Sequence, residues 1–325
     1  LQSTLCILLS ALPISLLSGS LIINLLTILI LITFLLEILI KKRLDFLNDW
    51  SFYLLLFLWA SFIINLFFSQ DKSLSFFRTI GFVRFIFLAQ AIRYVFLLND
   101  NNYKIFILRI WAIIFIIVSF DLLLEYFNGI NILGYKSNLD GRLASFLDDE
   151  LKIGGYYFGF CLLSLATIYS YFKRDYKIIF GFAVLFLIIA FLIGERSNFI
   201  KIFFMSFLFF LLKKNISFYK KIISILFITI VSCFIIYNNE LLKNRFYDST
   251  ISLFTMEFSK TRSNHICQYN TGIEIFKDNP IFGVGLKKYR LESWKEKYAH
   301  PKPDGNVHYC GSTHPHQVHF EILSE

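Results

Sequence analysis

The sequence predicts an all-α polytopic membrane protein. Of its 325 residues, 56% are hydrophobic and 19% are aromatic, and the mean hydropathy is +0.62. Charged residues make up 17%, against about a quarter in an average soluble protein. A water-soluble fold could not cover so much apolar surface, so a bilayer must surround most of the chain.

Long apolar stretches define the expected spans. A helix that crosses a bilayer needs about 20 mostly apolar residues, and this criterion predicts about nine transmembrane helices in this fragment. They lie at about 3–17, 20–40, 50–69, 79–98, 104–124, 153–172, 178–194, 198–212 and 222–238. We expect the chain to be cut at both ends, because it starts with Leu1 and ends in a new apolar run.

Basic clusters set the expected orientation. Lysines and arginines follow the second, sixth and eighth predicted spans, at 41–43, 173–177 and 213–221. Because cytoplasmic loops carry an excess of these residues, all three clusters should face the cytoplasm. The loop near 125–152 and the turn at 194–198 should then face the other side, together with everything after 238.

The expected organisation has three parts: a transmembrane bundle at 1–238, a large polar loop with amphipathic helices at 239–318, and the start of a further transmembrane helix at 319–325. The segment after 238 holds all six histidines and is nearly neutral, so the net charge of +9 comes mainly from residues that flank the spans. A nucleic-acid surface needs a concentrated basic stripe, so membrane lipids, and no nucleic acid, are expected partners.

Two segments carry candidate arginines. Arg196 lies in the turn Gly194-Glu195-Arg196-Ser197-Asn198, where an arginine is either functional or an interfacial anchor. Arg262 opens an amphipathic stretch that ends in a turn at 278–285. The Gly-x-Gly pair in that turn is a poor match to a nucleotide-binding loop, because no strand precedes it and a third glycine is missing.

A third segment, around His314, His316 and Gln317, joins the polar loop to the last apolar run. A histidine there can accept a proton near neutral pH, and zinc binding or a structural role are the alternatives. Cys267 and Cys310 lie in the loop expected on the oxidising side. They could form a disulfide that joins the Arg262 helix to the His316 segment.

In this order, the three segments resemble the O-antigen ligase and polymerase superfamily. The family pattern combines a Gly-x-Arg turn, an arginine-bearing amphipathic helix, an Asp-x-Pro-x-x-Gly-x-Gly element and a His-Pro-His-Asn sequence before the next span. A segment around Arg142 also resembles the family's Gly-Arg-x-x-Gly-x-Phe loop. Three positions depart from the pattern: Gln317 replaces Asn, Glu195 replaces a small residue and Ser145 replaces Gly.

The resemblance implies a multi-pass glycosyltransferase of the bacterial inner (cytoplasmic) membrane with its active site facing the periplasm, and about twelve spans in full. It implies a glycan donor on undecaprenyl diphosphate, a lipid A-core or glycan acceptor, and no metal or cofactor. Arg196 and Arg262 would bind the diphosphate, because a guanidinium pairs with two phosphate oxygens. His316 would take the acceptor proton, and Arg142, His314 and Gln317 would contact substrate.

Several functions remain open within and beyond this resemblance. A ligase, a polysaccharide polymerase and a protein O-oligosaccharyltransferase differ in their acceptors, and the compact His-Pro-His element favours the ligase. A polysaccharide transporter or flippase would place ionisable residues near the middle of its spans. Here such residues are few, namely Arg84, Arg93 and Arg109, so an enzyme is favoured.

Overall fold

The protein is almost entirely helical in the part of the chain that the computed structural model describes. These residues are 1–42, 49–69, 72–98, 101–138, 141–147, 152–172, 175–212, 217–248, 264–301, 307–314 and 318–324. The only strands among them are an antiparallel pair of two residues each, β1 (His300–Pro301) and β2 (Val307–His308), and turns and loops connect the helices. The predicted helical class is therefore confirmed.

Fourteen α-helices follow one another along the described residues. They are α1 (Gln2–Ser10), α2 (Leu12–Leu17), α3 (Ser20–Lys41), α4 (Trp50–Phe68), α5 (Lys72–Leu97), α6 (Asn101–Asn128), α7 (Ile153–Tyr171), α8 (Tyr176–Leu192), α9 (Arg196–Leu211), α10 (Phe218–Asn238), α11 (Glu240–Lys243), α12 (Asn264–Asp278), α13 (Tyr289–Glu292) and α14 (Val318–Ser324). Short 3-10 helices cover Ser145–Leu147 and Glu296–Tyr298, and a π-helical turn covers Asn244–Asp248.

Five of the described helices are long and apolar enough to cross a membrane. They cover Ser20–Lys41, Trp50–Phe68, Ser75–Leu97, Asn101–Asn128 and Ile153–Tyr171. The chain is thus a multi-pass membrane protein by length and composition, and the larger predicted count of about nine is not confirmed. Two further apolar helical stretches, Gln2–Leu17 and Lys177–Leu192, are shorter. The first is broken at Ala11, because Pro13 cannot donate to the helical ladder and its ring crowds the preceding turn.

The chain divides into two compact units. Unit 1 comprises Leu1–Thr33 and Val95–Phe254, and unit 2 comprises Phe34–Tyr94 and Thr255–Glu325. Unit 2 therefore combines apolar helices from the first third of the chain with the polar segment at its end.

The core of unit 1 forms where α6, α7 and α8 pack together. Tyr157 is fully buried there, and its ring centroid lies 4.5 Å from that of Phe115 and 6.5 Å from that of Phe186. Its hydroxyl lies 3.1 Å from the Ser119 hydroxyl, so the one polar atom of the ring is hydrogen-bonded. Cys161, one turn further along α7, fills a buried apolar position. These contacts join α6, α7 and α8; the segment that carries Arg142 follows α6, and the turn before Arg196 follows α8.

Unit 2 has its own small core within the polar segment, formed by Ile275, Val284, Tyr289 and Tyr298. The Tyr289 hydroxyl donates to the Gln268 carbonyl at 2.9 Å, and burial raises the pKa of this tyrosine. At its edge, the Lys297 ammonium contacts an Asp278 carboxylate oxygen at 3.1 Å. Contacts with Tyr298 and Asp278 raise the pKa of Lys297 to about 12, so this pair stays charged at neutral pH.

Candidate active site

The segment that carries Arg142 is held by two buried carboxylates of α6. Glu125 accepts hydrogen bonds from the backbone amides of Ala144, at 3.0 Å, and Ser145, at 2.7 Å. Asp121, one turn earlier, accepts from the Ser145 hydroxyl. Both carboxylates are almost fully buried, with exposed fractions of 4% and 1%. The 141–147 segment is thus a rigid loop whose shape is determined by α6.

Ser145 stands where the family pattern has glycine, and its backbone conformation explains why. Its φ is +52°, in the left-handed region that favours glycine. Besides the bonds to Asp121 and Glu125, its carbonyl accepts from the Asn131 side chain at 2.6 Å. These bonds offset the cost of a side chain in this conformation, which is about 1–2 kcal/mol. The serine is therefore a substitution that the site accommodates.

The Arg142 loop packs directly on the turn that carries Arg196. The Leu143 amide donates to the Ile193 carbonyl at 3.3 Å. Gly194 has a φ of +77°, and a Cβ there would overlap the Gly141 carbonyl oxygen. The close approach of the two backbones thus requires a glycine. Two arginine-bearing segments that are separate in sequence are joined into one structural element of unit 1.

Glu195, the second departure from the family pattern, ties this turn to α7. Its carboxylate accepts from the backbone amide of Gly154, at 3.4 Å, and from the side chain of Asn198. A Cβ at Gly154 would overlap the same carboxylate, so the contact is close. Arg196 begins α9 immediately after Glu195. The glutamate therefore positions the start of the helix on which Arg196 lies.

A cleft of about 460 Å³ opens beside the Arg142 loop in unit 1. Its polar lining includes Lys136, Arg142 and Asn239, and Glu125 forms part of its floor. The Arg142 Nε is buried and has no hydrogen-bond partner within the described part of the chain. Since Glu125 is engaged by the loop amides, the remaining charge of the lining is positive. The cleft suits a polar ligand that accepts hydrogen bonds.

In unit 2, the Asp-x-Pro-x-x-Gly-x-Gly turn at 278–285 is anchored on α4 and α5. The Asn65 side chain donates to the Phe282 carbonyl, and the Ser75 hydroxyl donates to the Leu286 carbonyl at 3.0 Å. Gly285 has a φ of +105°, and a Cβ there would overlap the Ser69 hydroxyl. The second glycine of the motif thus serves a close backbone approach, which is consistent with the poor match to a nucleotide loop.

Cys267 and Cys310 are joined by a disulfide in unit 2, with their Cα atoms 5.6 Å apart. Both residues are buried, Cys267 in α12 and Cys310 shortly after β2. Next to Cys310, Gly311 lies against the Trp294 ring, where a Cβ would overlap the indole. The disulfide therefore connects the amphipathic helix to the segment that leads to His314.

Removal of this disulfide should weaken unit 2. The bonded cysteines are separated by 43 residues, and a loop of that length corresponds to about 4 kcal/mol in the chain-entropy account. We expect Cys310→Ser to lower the thermal unfolding midpoint of the purified protein, and a reductant to lower the wild-type midpoint to the same value. The matched control is Cys233→Ser, at an exposed free cysteine. An unchanged midpoint in both the variant and the reduced wild type would contradict this expectation.

The histidine segment is described in part. His314 lies in unit 2 with its Nδ1 atom 2.9 Å from the Thr313 hydroxyl. Arg262, His316 and Gln317 lie outside the described residues, and their roles stay predictions. No group of three or more metal-ligating His, Cys, Asp or Glu side chains is found among the residues that were described.

One group of cations in unit 2 could not be recognised from the sequence as a group. Arg78 and Arg84 of α5 line a cleft in unit 2 together with Lys287 and Arg290, and His314 lines the same cleft. In the sequence, Arg84 is a charge inside an apolar span, and no pattern connects it to the C-terminal segment. A charged residue at such a position is a functional signal in itself, but it does not reveal its partners.

The fold and the site define a multi-pass helical membrane protein in which two arginine-bearing segments of unit 1 are joined by backbone contacts. A family model described as O-antigen ligase matches residues 155–325, more than half of the chain, and the protein belongs to this family. The match includes the Arg196 turn, the 278–285 turn and the His314–Gln317 segment. No curated protein and no solved structure gives a match.

Proposed function

We propose that the protein is a glycosyltransferase of the O-antigen-ligase type, which transfers a glycan from undecaprenyl diphosphate to a lipid A-core acceptor at the periplasmic face of the bacterial inner membrane. The observation that carries the proposal is the contact between the Arg142 loop and the Gly194–Arg196 turn, because the turn lies within the family match. This contact between two backbone segments holds Arg142 and Arg196 on one structural element. Recognition of an anionic donor requires cationic side chains whose positions are fixed in this way.

Two observations support the orientation. The basic clusters follow three even-numbered predicted spans, the second, sixth and eighth, as expected if they face the cytoplasm. The Cys267–Cys310 disulfide would then lie on the periplasmic side, where disulfides form and persist. The Arg196 turn and the histidine segment would face the same compartment.

In the proposed reaction, the acceptor hydroxyl oxygen attacks C1 of the donor sugar while the bond from C1 to the diphosphate oxygen breaks. His316 accepts the proton of the attacking hydroxyl. Undecaprenyl diphosphate leaves with the bonding electron pair, and Arg196 and Arg262 stabilise its negative charge. In this scheme the arginines supply the positive charge, and no metal or cofactor is proposed.

The remaining candidates would position the substrates. Arg142 projects from a loop that lines the polar cleft of unit 1, so we assign it to the glycan or to the donor phosphate. His314 and Gln317 flank the proposed base and would orient it or the acceptor. Loss of any of these three should weaken substrate binding more than the chemical step.

Complementation tests the proposal in cells. In a Gram-negative strain that lacks its own O-antigen ligase, the wild-type gene should restore the lipopolysaccharide ladder on a gel. Arg196→Ala and His316→Ala should insert normally and give no ladder. Loss of a charge-stabilising group typically costs about 100- to 1,000-fold in rate, and loss of a general base about 100- to 10,000-fold. Lys201→Ala, at an exposed cation on the same helix as Arg196, is the matched control and should retain the ladder.

The same gel distinguishes the acceptors. In a strain that lacks its O-antigen polymerase but retains a ligase, a ligase should add no ladder, whereas a polymerase should create one. If the wild-type gene produces a ladder in that strain and none in the ligase-deficient strain, the protein is a polymerase and the ligase proposal is wrong. A full ladder with Arg196→Ala would contradict the proposed role of the turn.

A further inference from the structure

An apolar tip projects from the polar segment of unit 2. Pro280, Ile281 and Phe282 lie in the middle of the anchored 278–285 turn, and all three residues are exposed. Ile281 has an exposed fraction of 82%. We call these three residues the apolar tip. Single exposed apolar residues are common on protein surfaces, but a contiguous apolar surface bordered by polar residues indicates a protein or membrane partner.

The apolar tip continues the exposed apolar surface of α4. The Phe282 ring stacks on the Phe68 ring, with the centroids 3.7 Å apart and the planes at 7°. Ile281 and Ile64 line the same apolar groove. Ile64 and Phe68 are themselves exposed, and only 6% of the apolar stretch of α4 is buried. In a multi-pass membrane protein such a helix is surrounded by lipid, so the apolar tip lies next to a lipid-covered surface.

The length of α4 indicates the level at which the tip lies. The helix has 19 residues, which correspond to about 28 Å at 1.5 Å per residue. The hydrocarbon core of a bilayer is about 30 Å thick. The last turn of α4, with Asn65 and Phe68, should therefore lie where the acyl chains meet the head groups. Since the Asn65 side chain donates to the Phe282 carbonyl, the apolar tip is held at this level.

Charged residues border the apolar tip. Lys277 is exposed in the last turn of α12, and the neighbouring Asp278 pairs with Lys297 at 3.1 Å. Long lysine side chains can reach the head groups while the apolar atoms beside them stay in a less polar environment. An apolar surface with charged flanks is typical of segments that rest in the bilayer interface without crossing it.

We propose that the apolar tip inserts into the bilayer interface on the side where α4 ends, and that it holds the polar segment of unit 2 against the lipid. The partner is the bilayer itself, at the boundary between head groups and acyl chains. The turn can enter this region because its backbone is hydrogen-bonded: the Gly283 amide donates to the Asn279 carbonyl, and the Phe282 carbonyl accepts from Asn65. The inference concerns this surface alone and does not depend on the proposed transfer.

Spin labelling of the protein in lipid nanodiscs measures the environment of the tip. The label would be attached at Ile281→Cys in a Cys233→Ser background, because Cys233 is an exposed free cysteine. Oxygen concentrates in the bilayer and a nickel chelate stays in water, so the ratio of their collision rates with the label reports its depth. We expect the ratio at 281 to approach that of a label at exposed Phe57, in the middle of α4. It should exceed several-fold the ratio at exposed Glu296 in the polar segment.

A second label tests whether the side chain of Ile281 causes the insertion. A label at Pro280→Cys should favour oxygen in the wild type and in Ile281→Leu. Ile281→Asp should shift its ratio several-fold toward the value at Glu296, because a carboxylate is costly to place in lipid. These variants should fold, since Ile281 is exposed and surface substitutions have small effects on stability.

Three results would overturn the proposal. If the label at 281 favours the nickel chelate, the apolar tip faces water. If both reagents collide rarely with this label, protein covers the tip, as in a contact between two copies of the chain. If the oxygen preference at 280 is the same in Ile281→Asp as in the wild type, Ile281 does not insert.

Discussion

Replacement of Glu125 by alanine is expected to release the Arg142 loop and to abolish function. The carboxylate accepts from two backbone amides, at 3.0 Å and 2.7 Å, and is almost completely buried. Each amide left without an acceptor in a buried place costs about 1–3 kcal/mol, so the loop should lose about 2–6 kcal/mol. Because the same loop packs on the Gly194 turn, the support of Arg196 should loosen as well.

Hydrogen exchange measures this effect locally. The amides of Ala144 and Ser145 should exchange much faster in Glu125→Ala than in the wild type, and the thermal midpoint should fall. Glu125→Gln should give a smaller change, because the amide keeps one acceptor oxygen. Glu240→Ala removes an exposed glutamate at the start of α11 and is the control. Unchanged protection of the two amides in Glu125→Ala would mean that the carboxylate does not hold the loop.

Gly194→Ala is expected to separate the Arg142 loop from the Arg196 turn. Alanine at a φ of +77° costs about 1–2 kcal/mol for the left-handed conformation alone. The added methyl group would also overlap the Gly141 carbonyl oxygen, which belongs to the backbone and cannot rotate away. The loop must therefore move, and glycan transfer should be lost while membrane insertion is retained.

A second glycine provides a matched comparison. Gly181 lies inside α8, and a Cβ there would meet nothing within 4 Å. Gly181→Ala should be neutral or stabilise the helix by up to about 1 kcal/mol, since alanine is the better helix former. Equal transfer by the Gly194→Ala and Gly181→Ala proteins would show that the two backbones need not approach as closely as they do here.

Hydropathy predicted the helical elements well, because continuous apolar runs need no knowledge of their neighbours. It could not predict the role of Asp121 and Glu125, which lie at the end of such a run and look like interfacial charges. Glu125 binds the backbone amides of Ala144 and Ser145, and Asp121 binds the Ile132 amide and the Ser145 hydroxyl. Backbone amides have no sequence signature, so these partners could not be found from the sequence. Two acidic side chains one turn apart at the end of an apolar helix were the available signal.

The motif residues were predicted from the family resemblance, and the structure adds the reasons for two departures from it. Ser145 is tolerated at a left-handed position because Asp121 and Glu125 bind it, and Glu195 is accommodated because it bonds to the start of α7. The group of cations that lines the cleft of unit 2 could not be predicted from the sequence. Arg84 and Arg290 are distant in the chain, and their proximity follows from the anchoring of the 278–285 turn on α4 and α5.

Glycan transfer by the purified protein tests the central claim most directly. The protein would be mixed with an undecaprenyl-diphosphate-linked glycan and a lipid A-core acceptor, and the acceptor would be followed by mass spectrometry. We predict that the wild type increases the acceptor mass by that of the glycan and releases undecaprenyl diphosphate, whereas His316→Ala, correctly folded, does neither. Equal product from the wild type and His316→Ala, or no product from wild-type protein that complements a ligase-deficient strain, would contradict the account.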